Sequence, residues 1–158
     1  MIWLKTKFIL ESSLAKEEVI DRISHLCKTT QSPYMENEYD GSIFESDFEI
    51  SRIISGRNSF KPSIKGNIET TDKLTTIRLT YSIPKAIQIF MGVWFGLIFI
   101  TLFLLILQFT TDFKFTLSPF VSLSMLGFGY FISKHGFEKE VQVSNIDLLK
   151  LFEAKELK

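Results

Sequence analysis

From Ala86 to Gln108 the chain reads AIQIFMGVWFGLIFITLFLLILQ, about 23 consecutive positions without a charged side chain. As a helix rising about 1.5 Å per residue, this stretch is long enough to cross the roughly 30 Å hydrocarbon core of a bilayer. A second apolar run, FTLSPFVSLSMLGFGYFIS from Phe115 to Ser133, follows after a connection too short to hold a domain. The pair is therefore predicted to form a membrane-spanning helical hairpin with both chain ends on one side. Any water-facing domain must be built from the residues before and after it.

Lysine and arginine near the ends of apolar spans set their orientation, whereas acidic groups contribute little. Lys73, Arg78 and Lys85 precede the first span and Lys134, Lys139 and Lys150 follow the second, while the connection FTTDFKFT offers only Lys114. Both termini are thus predicted to be cytoplasmic. The N-terminus, MIWLKTKFILES, alternates apolar and polar residues and has no long apolar core or small-residue cleavage site, so no cleaved signal peptide is expected. The 18 basic residues match the 18 acidic ones, so charge gives no reason to expect nucleic acid as a partner. The single cysteine, Cys27, excludes an intrachain disulfide and a multi-cysteine zinc site, and is most simply a core residue.

Residues Ile2 to Leu10 alternate with the two-residue period of a half-buried strand. Ser12 or Ser13 then caps a helix to about Lys28, with Val19, Ile20, Ile23, Leu26 and Cys27 on its apolar stripe. Thr29 to Gly41 is rich in turn formers and is expected to be a loop. SIFESDFEI, SRIIS, SIKGNIE and LTTIRLTYSI, between Ser42 and Ile83, follow as antiparallel strands, with a hairpin turn at Thr70 to Lys73. Ser144 and Asp147 have the spacing of a capping box, opening a separate C-terminal amphipathic helix that ends in AKELK. That helix either lies on the bilayer or docks on the sheet, and its mixed charges favour docking.

The segment RNSFKPSIKG, from Arg57 to Gly66, places a cation, an amide and a hydroxyl beside an aromatic ring between two strands. It is either a recognition loop, with Arg57, Asn58, Ser59, Phe60 and Lys61 as contacts, or a structural turn in which Phe60 plugs the sheet and Pro62 starts a strand. The order R-N-S-F-x-P-x-I-x-G, followed by a threonine-rich strand and an aromatic apolar span, resembles small bacterial membrane proteins without an assigned activity. The resemblance covers roughly residues 48 to 105 and implies a bacterial inner membrane, but no mechanism. Asn37, Glu38 and Tyr39 form a second candidate contact. Gly92 with Gly96, and Ser118 with Ser122, are small residues at the four-residue spacing that allows close helix packing in lipid, or that arises by chance in spans.

His25 belongs to the wet side of the first helix, and Glu45, Asp47 and Glu49 to a solvated strand face. No catalytic set, metal cluster or cofactor motif has recognisable spacing, and neither apolar run carries a charge that could relay protons. The expected fold is α+β with a transmembrane hairpin: a small antiparallel sheet with one packed N-terminal helix in residues 1–84, two membrane-spanning helices in 85–133, and a C-terminal helix returning in 134–158. The expected role is a nonenzymatic inner-membrane interaction subunit whose partners are membrane lipid and another protein. The alternatives are lipid or small-ligand binding, with Arg57, Lys61 and Lys65 meeting an anionic headgroup, and a membrane immunity protein.

Overall fold

The computed structural model describes residues 4–27, 39–54, 58–71, 74–111 and 118–157. Its strands are β1 (Lys5–Ser12), β2 (Tyr39–Phe44), β3 (Asp47–Arg52), β4 (Ser63–Thr71), β5 (Leu74–Ser82) and β6 (Ala154–Leu157). Its helices are α1 (Lys16–Cys27), α2 (Lys85–Thr111) and α3 (Ser118–Leu151). The six strands form one antiparallel sheet in the order β2-β3-β4-β5-β1-β6. Both α1 and the C-terminal half of α3 cover the same face of it, because Val19, Ile23, Phe137, Val141 and Leu148 share one core with the inward strand residues.

Alternation in the strands makes that face. Ile50, Ile64 and Tyr81 stand side by side in register on β3, β4 and β5, as do Ile68, Ile77 and Leu10 on β4, β5 and β1, and all six are at most 1 % exposed. Two glycines make room for large neighbours in these rows. A Cβ on Gly66 would land on the ring of Phe48, its direct partner on β3, and one on Gly41 would strike the backbone of β3 at Glu49 and Ile50. The opposite face is polar and, among the described residues, carries no helix. Glu49 meets Lys65 at 3.0 Å, Arg78 meets Glu69 at 2.5 Å, and Asn67 donates to Asp47 at 2.7 Å across it.

The expectation of two membrane-spanning helices is not met: among the described residues, one helix, over Lys85–Gln108, is long and apolar enough to cross a bilayer by length and composition. The described apolar part of α3, residues 118–133, is only about 24 Å long at about 1.5 Å per residue. At Lys134 the helix turns polar without ending. No separate C-terminal helix exists either, since α3 continues unbroken to Leu151. No proline interrupts the sequence between Phe120 and Leu151, so the hydrogen-bond ladder passes through Ser144 and Asp147, which occupy mid-helix positions instead of a cap.

The sheet is also larger than expected. SIFESDFEI folds back on itself as the β2–β3 hairpin, with Glu45 at a positive φ of 51° in a turn that has no glycine or asparagine to announce it. The residues AKEL favour helix intrinsically but form β6, because Glu153 at φ 49° reverses the chain and the free edge of β1 accepts it. Arg22 of α1 closes this end, donating to the Leu151 carbonyl at 2.8 Å and to Glu153 at 2.9 Å. A cation there satisfies a carbonyl that the end of α3 leaves without a helical partner.

Gly66→Ala should destabilise the protein by about 1–3 kcal/mol through overpacking against Phe48. In denaturant melts, Phe48→Leu should cost less in the Gly66→Ala background than alone; additive effects would show that the ring does not need the glycine.

Candidate functional site

Period-two alternation places Phe48, Ile50 and Arg52 on one side of β3, so an arginine follows two apolar residues onto the core face. Its direct neighbour on β2 is Tyr39. On α3, Phe137, Glu140, Val141, Ser144 and Leu148 follow the helical repeat, and this stripe lays Glu140, 8 % exposed, over the same region. The Arg52 guanidinium donates to Glu140 Oε2 at 3.3 Å and points Nε at Asp147 Oδ2, 3.8 Å away. The Tyr39 hydroxyl donates to the same Asp147 oxygen at 3.2 Å. Between Glu140 and Asp147 on α3, Asn145 accepts from Tyr81 at 3.5 Å and donates to Glu156 of β6 at 3.3 Å. These contacts form a polar seam tying α3 to β2, β3, β5 and β6. Burial pushes the Tyr39 and Tyr81 phenols well above their ordinary range, with the nearby Asp147 carboxylate acting in the same direction.

The 58–61 segment belongs to this assembly. Asn58 donates to the Gly136 carbonyl at 3.1 Å and accepts from the Phe60 amide at 3.0 Å, while Lys61 donates to the Arg52 carbonyl at 3.2 Å. A Cβ on Gly136 would stand 3.2 Å from Asn58 Oδ1 and 3.5 Å from Phe60 Cβ, so the glycine permits this close approach. Of the segment's candidate contacts, Ser59 is exposed; Asn58, Phe60 and Lys61 are partly buried and engaged within the chain. Arg57, Asn37 and Glu38 lie outside the described residues, and Tyr39 is fully buried.

Beyond their chain neighbours and their own helix backbone, Gly92 and Gly96 have no described atom within 4 Å of where a Cβ would stand. The buried stripe of α2 is instead Met91, Phe95 and Ile98, and the small residue that meets it is Gly129 of α3, whose Cβ would lie 3.7 Å from both Phe95 and Trp94. Ser118 begins α3, and Ser122 lies partly buried one turn later. An apolar groove of about 190 Å³ opens between the two helices, with Phe60 at one side.

On the uncovered face, at the end of the sheet next to α2, lies a polar groove of about 500 Å³. Register builds it: Lys5, Ser82 and Ser63 form the last cross-strand row, Glu49, Lys65 and Thr80 the row behind it, and Pro84, Lys85 and Gln88 the wall. Glu49 accepts from Ser63 at 2.8 Å and pairs with Lys65, contacts that hold its carboxyl below the usual range, aided by the field of Lys85. Gln88 Nε2 donates to the Ile83 carbonyl at 2.7 Å and stiffens the passage from β5 into α2. Of the three cations the sequence offered to an anionic headgroup, Lys65 lines this groove, Lys61 donates to the Arg52 carbonyl, and Arg57 lies outside the described residues; the grouping of Lys65 with Lys5 and Lys85 depends on strand order.

Among the described residues, no group of three or more His, Cys, Asp and Glu side chains could hold a metal ion. His25 faces solvent beside Asp21, and Cys27 is half-buried with its thiol pushed up by burial. No family model matches the chain, and no curated protein or solved structure matches it.

Arg52→Leu should cost about 3 kcal/mol, because it strands the Glu140 charge, and Glu140→Leu in that background should recover much of the loss. A double variant no more stable than Arg52→Leu in chemical melts would show that Glu140 is not the residue left stranded. The tyrosines give a pH test. A phenol whose folded pKa is raised contributes stability that is complete below its unfolded value of about 10 and is lost as pH climbs toward the folded value. Stability should therefore fall steeply above about pH 10, and less steeply in Tyr39→Phe/Tyr81→Phe, when unfolding is followed by circular dichroism. Equal slopes would remove these phenols from the alkaline transition.

Proposed function

We propose that the protein is a nonenzymatic, membrane-anchored interaction subunit, which holds an uncovered sheet face at a set orientation on the cytoplasmic side of a bacterial inner membrane. The observation that carries this reading is the junction between sheet and apolar helix. Only Ile83 and Pro84 separate β5 from α2, and Gln88 pins that turn. Within one helical turn of Lys85 the α2 surface becomes apolar and open, with Ile89 68 % and Phe90 61 % exposed. A continuous apolar surface of this kind calls for a covering, and a bilayer supplies it along α2. The basic residues Lys85, at the start of α2, and Arg78, seven positions before it on β5, support a cytoplasmic sheet.

Tyr39, Arg52 and Tyr81 of the covered face each donate to a side chain of α3, while Arg52 Nε and Ser144 Oγ are buried there without a hydrogen-bond partner; the paired donors support a scaffold more than a reaction centre. The uncovered face, with Arg78 near its middle and Phe44 at its hairpin tip 69 % exposed, is the surface available to a protein partner. Resemblance to the small bacterial membrane proteins with the R-N-S-F-x-P-x-I-x-G segment agrees with this address.

Wild-type protein should resist alkaline carbonate extraction, and Leu97→Arg should lower that resistance, since an arginine at mid-helix costs about 2.5–3.5 kcal/mol in membrane insertion. A photocrosslinking residue at Arg78 or Phe44 should give a discrete protein adduct in native membranes, and one at Glu138 on α3 should not. Carbonate release of the wild type would refute anchoring. Absence of adducts from both sheet positions would refute the interaction role.

A further inference from the structure

We propose that the groove lined by Lys5, Lys65 and Lys85 binds the phosphate of an anionic phospholipid headgroup, an inference that rests on the anchoring of α2 in a bilayer. Lys5 of β1, Lys65 of β4 and Lys85, the first residue of α2, line it together with Thr80 and Ser82, and with Ser63, whose hydroxyl is donated to Glu49. One carboxylate shares the groove, Glu49, and it is already engaged by Ser63 and Lys65. Lys5 and Lys85 are both exposed, and neither is in an ion pair among the described residues. The chemistry on offer is therefore a net cationic cleft with hydroxyl hydrogen-bond donors, which suits a phosphate.

Position selects the lipid over a free ion. Lys85 and Gln88 wall the groove, and exposed apolar residues begin at Ile89. With α2 in a bilayer the groove lies at headgroup depth, where lysines reach the polar boundary and each contributes roughly 1 kcal/mol of attraction to an anionic leaflet.

The test uses the full chain in nanodiscs of phosphatidylcholine with a minor share of phosphatidylglycerol, and counts the lipids retained by native mass spectrometry. Wild type should retain phosphatidylglycerol preferentially. Lys5→Gln and Lys85→Gln should each lower that preference by about fivefold, the factor equivalent to about 1 kcal/mol, whereas Lys139→Gln on α3 should leave it unchanged. Lys65 is kept so that Glu49 retains its partner. Carbonate resistance and melting temperature in detergent should be the same in all variants, which separates loss of binding from loss of fold. No phosphatidylglycerol preference in the wild type, or an equal preference in the Lys5→Gln/Lys85→Gln variant, overturns the proposal. A lysine-dependent rise in melting temperature with inorganic phosphate in detergent, without lipid preference in nanodiscs, overturns the lipid source and assigns the groove to a soluble phosphate. Carbonate release of the wild type strikes the anchoring itself, whereas lysine-independent lipid retention strikes only the groove.

Discussion

The Arg52–Glu140 contact determines how one helix can serve two surroundings. The first half of α3 lies along α2 with its apolar side chains open, and its second half lies on the sheet. Burial of Phe137, Val141 and Leu148 holds the second half down, but apolar burial is non-directional and would tolerate sliding or rotation. The polar contacts of Glu140, Asn145 and Asp147 with Arg52, Tyr81 and Tyr39 are directional, and each is lost when the helix moves by a residue. A partly buried ion pair contributes little net stability after desolvation, so its effect here is on register. Gly136 assists one turn earlier, since its missing side chain lets Asn58 and Phe60 close against the helix.

Sheet and apolar helices are joined a second time through the chain itself. Pro84 supplies a fixed φ and no amide to be satisfied as α2 begins, and its carbonyl accepts from Ile87 at 3.0 Å and Gln88 at 3.1 Å. The seam on α3 and the covalent turn into α2 lie at different places on the sheet, and α2 and α3 touch through Phe95 and Gly129. Three bodies linked pairwise leave no free hinge, whereas either link alone would let the sheet swing. This closure is the physical reason that a short, two-residue connection suffices to orient the sheet relative to α2.

Periodicity made the strands β1, β4 and β5, the helix α1 and the apolar helix α2 legible, because each buries one face or runs apolar throughout. What stayed hidden depends on contacts distant in sequence. Ser144 and Asp147 mimic a helix start, and only the uninterrupted ladder from Ser118 shows that they are interior. AKEL becomes a strand because an edge is waiting on β1, a fact held by residues more than a hundred positions away. Arg52 and Glu140 each break an apolar pattern, and a charge in a core-facing register was the available signal for the seam. The glycine pair in α2 drew attention through its spacing, yet the side chains that bury on that helix are large, and the small residue they meet is Gly129 of α3.

The location of the lysine groove follows from the same register that builds the core. Lys5, Ser82 and Ser63 form the row nearest Pro84, and Thr6, Tyr81 and Ile64 form the adjacent inward row. Side chains alternate between faces, so a one-residue slip of β1 or β4 would send Lys5 or Lys65 into the core and turn Thr6 or Ile64 outward. Ile64 and Tyr81 are fully buried, and exposing Ile64 would forfeit roughly 1.5–3 kcal/mol, more than any surface lysine pair could return. Core burial thus decides which face carries the lysines, and the short turn at Pro84 decides how close they stand to α2. The cationic groove at the foot of the apolar helix is in this sense a consequence of the packing beneath it.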